Sequence, residues 1–251
     1  MSNPFNILGR KSGVLQVQDI LKLPELLKAL GYVPEGTVLQ TYETEIEALE
    51  AGVGYGAPYI DASGQLQVVS KVKQVLNFST SLLDPNNYFC LLVEQESYDI
   101  EDVFAAAVAT TTVHVRGISD GGSLELYDSD SDPVFNTLSS LELGRGYIGY
   151  GDTEFSLTIY GAPIDPNLRR ALPNANANLV GYYGGYGATA LIADVYADLI
   201  GAGKVDSISQ GTLVYPTTLT TINAGQAVNI NTNATATQVG TTDPVARNTS
   251  I

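Results

Sequence analysis

One segment of this chain occurs three times, each time in a degraded form. Each copy begins with a glycine, continues through a short apolar strand with a tyrosine, and reaches a glycine turn before a further alternating strand. The copies run from Gly36 to Val72, from Gly122 to Ile164 and from Gly211 to Gly240, with tyrosines at Tyr42, Tyr127 and Tyr215 and turn glycines at Gly52, Gly144 and Gly225. A recurring order of strand, turn and strand is typical of a packed β-scaffold. The repeat therefore favours a structural or binding protein over an enzyme built round one pocket.

The composition excludes two classes of partner. The chain has 251 residues, with 27 acidic residues against 12 basic ones and a formal net charge of −15. Nucleic acids and anionic membranes repel such a surface, so we expect neither as a partner. Charged residues make up only 16% of the chain, well below the usual quarter, while tyrosine and glycine are abundant. This composition indicates large contact surfaces with other protein.

The single cysteine, Cys90, lies in the apolar run YFCLLV. No disulfide can form within the chain, and the run predicts that Cys90 is a small buried hydrophobic residue. The first residues show no charged segment followed by an apolar one, as a signal peptide would require. No apolar run approaches the roughly 18–20 residues that span a bilayer. We therefore expect a protein made in the cytoplasm of its host.

The pattern of strands and helices predicts the domain organisation. Before the first repeat, Val14–Ile20 alternates like a strand, and LPELLKALG, residues 23–31, has the signals of a short helix. The predicted divisions are an N-terminal arm at 1–13, repeat units at 14–72, 73–164 and 179–240, a linker at 165–178 and a C-terminal arm at 241–251.

The second and third units share a longer order of apolar strand, amphipathic helix, strand and hairpin. In the second unit, NYFCLLVEQ (87–95) predicts one buried strand, and SYDIEDVFAAAVA (97–109) predicts a helix capped by Asp99. TVHVRGI then predicts a strand with His114 and Arg116 on one face. In the third unit, NLVGYYG predicts the strand and Thr189–Gly203 the helix. The fold class is therefore mainly β with short α-helices: three tandem strand–helix–strand–hairpin units that form a sandwich-like scaffold with flexible terminal arms.

This order resembles a tandem β-rich repeat of bacterial secreted and surface proteins and of some phage virion proteins. That family has a strand like G-W-N-L-V-G, a short helix, a phrase like L-x-x-G-x-G-Y-W and a closing strand like T-L-T-V-x-G. The matching residues are Asn178, Leu179, Val180 and Gly181 for the opening strand, Leu141, Gly144, Gly146 and Tyr147 with Leu49, Gly52, Gly54 and Tyr55 for the G-x-G-Y phrase, and Ser156–Gly161 for the closing strand. The chain differs from the family in having no tryptophan. The resemblance implies a scaffold and no particular reaction.

Two phrases match enzyme motifs in their letters only. GISDG, residues 117–121, matches the nucleophile elbow of hydrolases, but the only histidine, His114, precedes the serine, and a β-run follows where the elbow needs a helix. GRGYIG, residues 144–149, matches a dinucleotide loop, but an alternating strand follows it. We therefore expect a hairpin turn at the first phrase and turns or bulges at the second. No organic cofactor is expected.

Acidic residues offer a candidate metal site and a less specific catalytic pair. DSDSD places Asp128, Asp130 and Asp132 at alternating positions, as in a Ca²⁺-binding loop, although the glycine and glutamate of an EF-hand are missing. Its alternative is a solvated acidic loop. TYETEIEALE, residues 41–50, holds four acids on one strand or short helix, but nothing singles out two of them as a glycosidase pair.

The predicted function is that of a non-enzymatic virion structural protein. We expect a capsid cement or decoration protein, or a tail component, that binds the major capsid or tail protein and copies of itself. The expected contact residues are Phe5, Arg10 and Lys11 of the N-terminal arm, the C-terminal arm, and Tyr182, Tyr183 and Tyr186 of the loop GYYGGYG. The alternative is a bacterial surface or adhesion module that binds carbohydrate through this tyrosine loop.

Overall fold

A computed structural model of the chain describes residues 39–119, 122–165, 172, 177–184 and 189–232. These residues are mainly β-strand with short helices, which confirms the predicted fold class. The chain divides into two compact units, Met1–Val72 and Lys73–Ile251. The predicted strand Val14–Ile20, the helix at residues 23–31, most of the linker and both terminal arms lie outside the described residues.

The described part of the first unit is a three-stranded sheet with one helix. Strand β1 pairs in parallel with β2, and β2 pairs antiparallel with β3. The helix begins after Thr44, whose side chain accepts a hydrogen bond from the backbone N–H of Glu47. Three of the four acids of this run therefore lie in the helix, and Glu43 lies in the bend before it. Ala48, Tyr59 and Val69 form the core. The elements are β1 (Thr41–Tyr42), α1 (Glu45–Glu50), β2 (Pro58–Asp61) and β3 (Leu66–Val68).

The described part of the second unit contains two four-stranded antiparallel sheets and two smaller ones. Their strand orders are β5-β9-β7-β8, β11-β16-β13-β14, β4-β10-β6 and β12-β15. The elements are β4 (Val72–Phe78), β5 (Tyr88–Phe89), β6 (Val93–Glu94), α2 (Ile100–Val108), β7 (Val113–Ile118), β8 (Leu124–Asp128), β9 (Tyr147–Gly151), β10 (Phe155–Pro163), β11 (Ala177–Gly181), β12 (Thr189–Leu191), α3 (Ile192–Val195), α4 (Ala197–Gly201), β13 (Val205–Gln210), β14 (Leu213–Val214), β15 (Thr221–Asn223) and β16 (Ala227–Thr232), with short 3₁₀ helices at Pro85–Asn87 and Pro133–Phe135.

The two four-stranded sheets have the same topology. In each, the first strand (β5 or β11) pairs with the last (β9 or β16), which pairs with the strand after the helix (β7 or β13). That strand forms a hairpin with the edge strand (β8 or β14). The helices correspond as well, because the buried residues Ile100, Phe104 and Ala107 match Ile192, Tyr196 and Leu199 in spacing. The second and third predicted repeats thus fold as equivalent sheets within one compact unit.

The two equivalent sheets contact each other reciprocally at their glycine turns. The N–H of Cys90, after β5, donates to the carbonyl of Gly225, and the N–H of Gly181, at the end of β11, donates to the carbonyl of Gly144. The neighbouring residues form matching β-bridges, Phe89 with Gln226 and Arg145 with Val180. Each sheet therefore completes the turn of the other.

Two glycines of the G-x-G phrase are needed for this contact. Gly144 has a φ of +73°, a conformation that favours glycine. At Gly146, a Cβ atom would lie 2.8 Å from the Cβ of Ala227 and from the backbone of Leu179, so only glycine allows the two backbones to approach. The phrase is therefore explained by turn geometry and packing between the sheets.

The predicted strand 87–95 is divided into β5 and β6, and a buried side chain bridges the gap. Gln74 is 3% exposed, and its Nε2 donates to the carbonyl of Cys90 at 2.8 Å. Its Oε1 accepts from the N–H of Leu92 at 2.8 Å. Because this amide satisfies the backbone between the two strands, no neighbouring strand is needed there. The prediction of one continuous strand is wrong, although every residue from Tyr88 to Val93 is buried as expected.

The predicted helix at Thr189–Gly203 is also corrected. Its first residues, Thr189–Leu191, form β12 and pair with β15, and the N–H of Ile192 donates to the carbonyl of Thr220. The helix is then interrupted at Tyr196, between α3 and α4. By contrast, α2 begins where predicted, because the Asp99 side chain accepts from the N–H of Glu101.

Replacing Gln74 with leucine is expected to destabilise the second unit by about 2–4 kcal/mol, since each buried backbone group left unpaired costs about 1–3 kcal/mol. Leucine has a similar size but can form neither hydrogen bond. Urea unfolding of the full chain measures the effect. Gln65→Leu, at an exposed position of the first unit, is the control, and equal stability of the two variants would contradict the role given to Gln74.

The turn after β2 is expected to lose stability in acid. The Asp61 carboxylate accepts from the Ser63 hydroxyl and from the N–H groups of Gln65 and Ser63, which lowers the pKa of Asp61 to about 2. A lowered pKa means that the stabilisation is complete above the unfolded value, near 4, and is lost as the pH falls through 2. We expect Asp61→Asn to speed amide hydrogen exchange of residues 63–67 near neutral pH relative to the unsubstituted chain, and the difference to narrow below pH 4. Asp206→Asn, at an exposed position of β13, should leave that exchange unchanged. If the difference in exchange rate between Asp61→Asn and the unsubstituted chain did not change with pH, the charge of the carboxylate could not be what stabilises the turn.

Candidate protein-binding surface

The sheet β5-β9-β7-β8 has one face in the core and one partly open face. Along β7, Val113 and Val115 are fully buried, whereas His114 and Arg116 are only partly buried on the opposite face, as the alternation predicts. At one end of this open face, Ile118 and Ile148 pack against Tyr88, Leu179 and Ala227. The structure shows no other described residue packed on the remainder of this face, so we treat it as available to other molecules.

A polar row crosses this open face. His114 is the cross-strand partner of both Asp128 and Tyr150. Its Nδ1 lies 3.3 Å from an oxygen of Asp128, and its Nε2 lies 3.4 Å from an oxygen of Asp152. The imidazole stacks on the ring of Tyr150, with centroids 4.7 Å apart. Both ring nitrogens are therefore engaged with carboxylates, and the histidine is held in one orientation.

Arg116 extends the same row. Its guanidinium lies 5.7 Å from the centre of the Tyr150 ring and donates to the Tyr150 hydroxyl at 3.3 Å. Arginine and tyrosine held by their neighbours lose little conformational entropy on binding, and both are enriched at the centres of protein interfaces.

Large apolar side chains are exposed beside this row, on β8 and the 3₁₀ helix that follows it. Their exposed fractions are 57% for Leu124, 40% for Leu126, 74% for Val134 and 71% for Phe135. We call these four residues the β8 surface. Single exposed leucines are ordinary, but four large apolar side chains within twelve residues at a sheet edge indicate a contact site for protein.

The backbone at the edge of β8 is already partly paired. The carbonyl of Leu126 accepts from the N–H groups of Thr137 and Leu138, and its N–H donates to the Thr137 hydroxyl. Asn136 exchanges two hydrogen bonds with the backbone of Asp128. The β8 surface therefore offers side chains, and at these residues it does not offer an open strand edge.

The residues that match the hydrolase motif form a hairpin turn. Ser119 follows β7, its N–H donates to the carbonyl of Ser123, and its hydroxyl accepts from the N–H of Ser123. Strand β8 follows, as predicted. Asp120 and Gly121 lie outside the described residues. The serine is thus held in a turn between two strands, which is not the geometry of an elbow.

The residues that match the dinucleotide motif lead into β9 instead of a helix, again as predicted. Arg145 within the phrase is 5% exposed, and its guanidinium pairs with Glu125 and Glu142. It also lies 5.3 Å from the centre of the Tyr147 ring. Side chains of the same unit therefore hold the guanidinium of Arg145.

The acidic run DSDSD caps its own turn. Asp128 accepts from the N–H of Asp130, and Asp132 accepts from the N–H of Val134 at the start of the 3₁₀ helix. Asp128 also faces His114. Among the described residues, no group of three or more histidine, cysteine or acidic side chains is arranged to hold a metal ion. The carboxylates of Asp128 and Asp132 therefore stabilise turns, and calcium binding by this run stays a prediction.

The predicted tyrosine loop is corrected in part. Tyr182 and Tyr183 are each 1% exposed. Tyr182 packs in the core with Ile192 and Tyr196, and Tyr183 lies against Gly144. The glycine-rich sequence suggested exposure, but the Tyr183 ring fills the space next to the glycine turn and the Tyr182 ring is part of the core. They cannot stack on a sugar or a protein partner in this fold. Tyr186, Phe5, Arg10 and Lys11 lie outside the described residues.

Sequence reasoning missed the β8 surface because its apolar residues fit an ordinary alternating strand. The available signal was the pair Val134–Phe135, which follows an acidic turn and a proline, where no core strand was predicted. Two large apolar residues in such a loop have no evident place in the core.

Comparisons with protein-family models, curated protein sequences and solved structures find no match to this chain. Over the described residues, no helix has both the length and the apolar character that crossing a bilayer requires.

Cys90 is expected to be unreactive in the folded protein. It is fully buried, and burial raises the pKa of its thiol to about 12. Because the thiolate is the reactive form, a disulfide reagent at pH 8 should modify almost no native protein and one thiol per chain in denaturant. Rapid modification of the native protein would contradict the placement of Cys90 between the two sheets. Ser123→Cys, at an exposed position just before β8, provides the positive control.

Proposed function

We propose that this protein is a non-enzymatic structural component of a virion, and that it binds neighbouring protein subunits through the β8 surface. The observation that carries the proposal is the exposure of Leu124, Leu126, Val134 and Phe135 beside the ordered row of His114, Tyr150 and Arg116. An apolar patch with a rigid aromatic and an arginine at its border has the composition of a protein interface.

The construction of the second unit supports the proposal. Two equivalent sheets complete each other's turns, and behind the open face Phe89 of β5 packs against Phe104 of α2, so the open face has a packed layer beneath it. A rigid surface binds without the cost of ordering itself, which suits a protein that stabilises an assembly. The resemblance to the repeats of phage virion proteins directs the proposal to a capsid cement or decoration protein or a tail component.

The charge of the chain favours an exterior position. A net charge of −15 is repelled by packaged nucleic acid. The proposed partners are therefore the major capsid or tail protein and other copies of this chain. We accordingly propose that the protein is located in the virion.

The test is whether the chain is present on particles and whether its attachment depends on the β8 surface. Particles from the source are banded on a density gradient and labelled with an antibody to this chain. We expect regular label on shells or tails. Particles that carry none of the chain, with label on cell envelopes instead, would reject the virion assignment.

A double variant, Leu126→Ser with Phe135→Ser, tests the surface itself. We expect rebinding to stripped particles to weaken at least about tenfold, because two exposed apolar anchors are lost, while the unfolding transition is unchanged. The matched control is Val214→Ser, which alters an exposed apolar residue (42% exposed) on β14, the equivalent edge strand. Unchanged binding by the double variant would place the interface elsewhere.

A further inference from the structure

A cleft in the second unit runs along β4 and has a volume of about 550 Å³. Ligand-binding clefts measure about 300–1,000 Å³, so this volume is sufficient for a specific occupant. Two stretches of chain, residues 75–79 and residues 223–226, contribute most of its wall, and Asp84, Asn86, Tyr88, Phe89 and Glu154 complete it.

One wall of the cleft belongs to an edge strand. In the sheet β4-β10-β6, strand β4 has β10 on one side, and among the described residues no strand pairs with its other side. Every second residue of such an edge directs its N–H and C=O away from the sheet, where an added strand can pair with them. Val75 is 48% exposed and Asn77 is exposed on this strand. The site therefore suits an extended segment with apolar and polar side chains.

The cleft is acidic. Asp84 and Glu154 contribute carboxylates, and none of the described residues that line it is basic. Glu154 is exposed. An occupant with positive charge and no acidic residue is therefore favoured.

Residues 1–13 of the chain have this chemistry. The segment MSNPFNILGRKSG contains Arg10 and Lys11, the apolar residues Phe5, Ile7 and Leu8, and no acidic residue. The other 238 residues hold ten basic and 27 acidic residues. Thirteen extended residues reach roughly 45 Å, which is enough to bridge two molecules.

We propose that residues 1–13 of one copy bind as an added strand along the β4 edge of a second copy, with Arg10 and Lys11 directed to the carboxylates of the cleft. Strand addition of this kind takes its affinity from backbone hydrogen bonds and its specificity from side-chain pockets and charge. Since each copy both donates an arm and offers a cleft, the contact joins copies into a chain or a closed ring. The inference goes beyond the proposed function, because the β8 surface takes no part in it.

The experiment uses a charge swap in the full chain. Variant A carries Arg10→Glu and Lys11→Glu. Variant B carries Glu154→Lys with Asp84→Asn, so that its cleft has a net positive charge, and the amide oxygen of the new asparagine can still accept from the N–H of Asn86. In either variant alone, arm and cleft have charges of the same sign. In a mixture, the acidic arm of A meets the basic cleft of B, and the basic arm of B meets the acidic cleft of A.

Analytical ultracentrifugation at low ionic strength provides the readout. We expect the unsubstituted chain to self-associate, each variant alone to associate about tenfold more weakly, and the equimolar mixture to recover the original association. Glu96→Lys with Asp102→Asn, an equal charge change at two exposed acids that do not line the cleft, should associate like the unsubstituted chain. Higher salt should weaken the contact, because the charges are exposed.

A monomeric unsubstituted chain, or a mixture no stronger than its components, would overturn the arm exchange. Circular dichroism of each variant establishes that it is folded. Either negative result would leave the proposed role of the β8 surface unchanged, because particle binding by the serine variants tests that surface separately. Conversely, loss of particle binding in the serine variants does not affect the ultracentrifugation result.

Discussion

The second unit depends on the reciprocal hydrogen bonds between two equivalent sheets. Cys90 pairs with the turn at Gly225, and Gly181 pairs with the turn at Gly144, so each glycine turn is completed by the first strand of the other sheet. At this junction there is no room for two side chains, because a Cβ atom at Gly181 would collide with Cys90. Close packing at the junction explains why one repeat has a cysteine and the other a glycine at the equivalent position. The buried run from Tyr88 to Val93 contacts three parts of the unit within six residues. It pairs with β9 at its start, with the turn before β16 in its middle and with β10 at its end. Between the two short strands, the Gln74 side chain forms the hydrogen bonds that the backbone of the run needs.

Because this junction is closely packed, binding to other molecules is expected at the periphery of the unit. Tyr182 and Tyr183, which the sequence favoured as contact residues, serve the packing instead. Cys90, as predicted, and Arg145 are buried as well. The exposed groups lie at strand edges and turns instead: the apolar β8 surface on one sheet and the acidic cleft beside β4. These are positions where a fold can vary its side chains without disturbing its core.

The sequence was sufficient to predict the elements whose signals are local. The Asp99 cap and the stripe of Ile100 and Phe104 place α2, and alternation places His114 and Arg116 on one face of β7. It was not sufficient where groups far apart in the sequence determine where a strand or a helix begins and ends. A buried Gln74 amide divides a strand, and pairing with β15 converts the start of a predicted helix into β12. For the candidate surface, alternation identifies the outward face of β8, but only the strand order makes β8 an edge and leaves its leucines uncovered. The tyrosine loop was misjudged for a similar reason, because glycines beside Tyr182 indicate mobility until the neighbouring sheet is considered.

The two binding regions differ in chemistry, and the difference has a physical consequence. Burial of the β8 surface removes apolar area from water and depends weakly on salt, whereas the cleft along β4 relies on backbone pairing and screened charges. Two contacts that differ in their dependence on salt can form one after the other. The β8 surface attaches a molecule to its support, and the cleft along β4 then joins molecules that are already close together. On a shared support the effective concentration of an arm near a neighbouring cleft rises to the millimolar range for short flexible connections. A strand addition that is measurable between free molecules then connects neighbouring copies more completely on the support. The net charge of −15 increases this difference, because repulsion between free copies weakens their association and a support that holds the copies together offsets that repulsion.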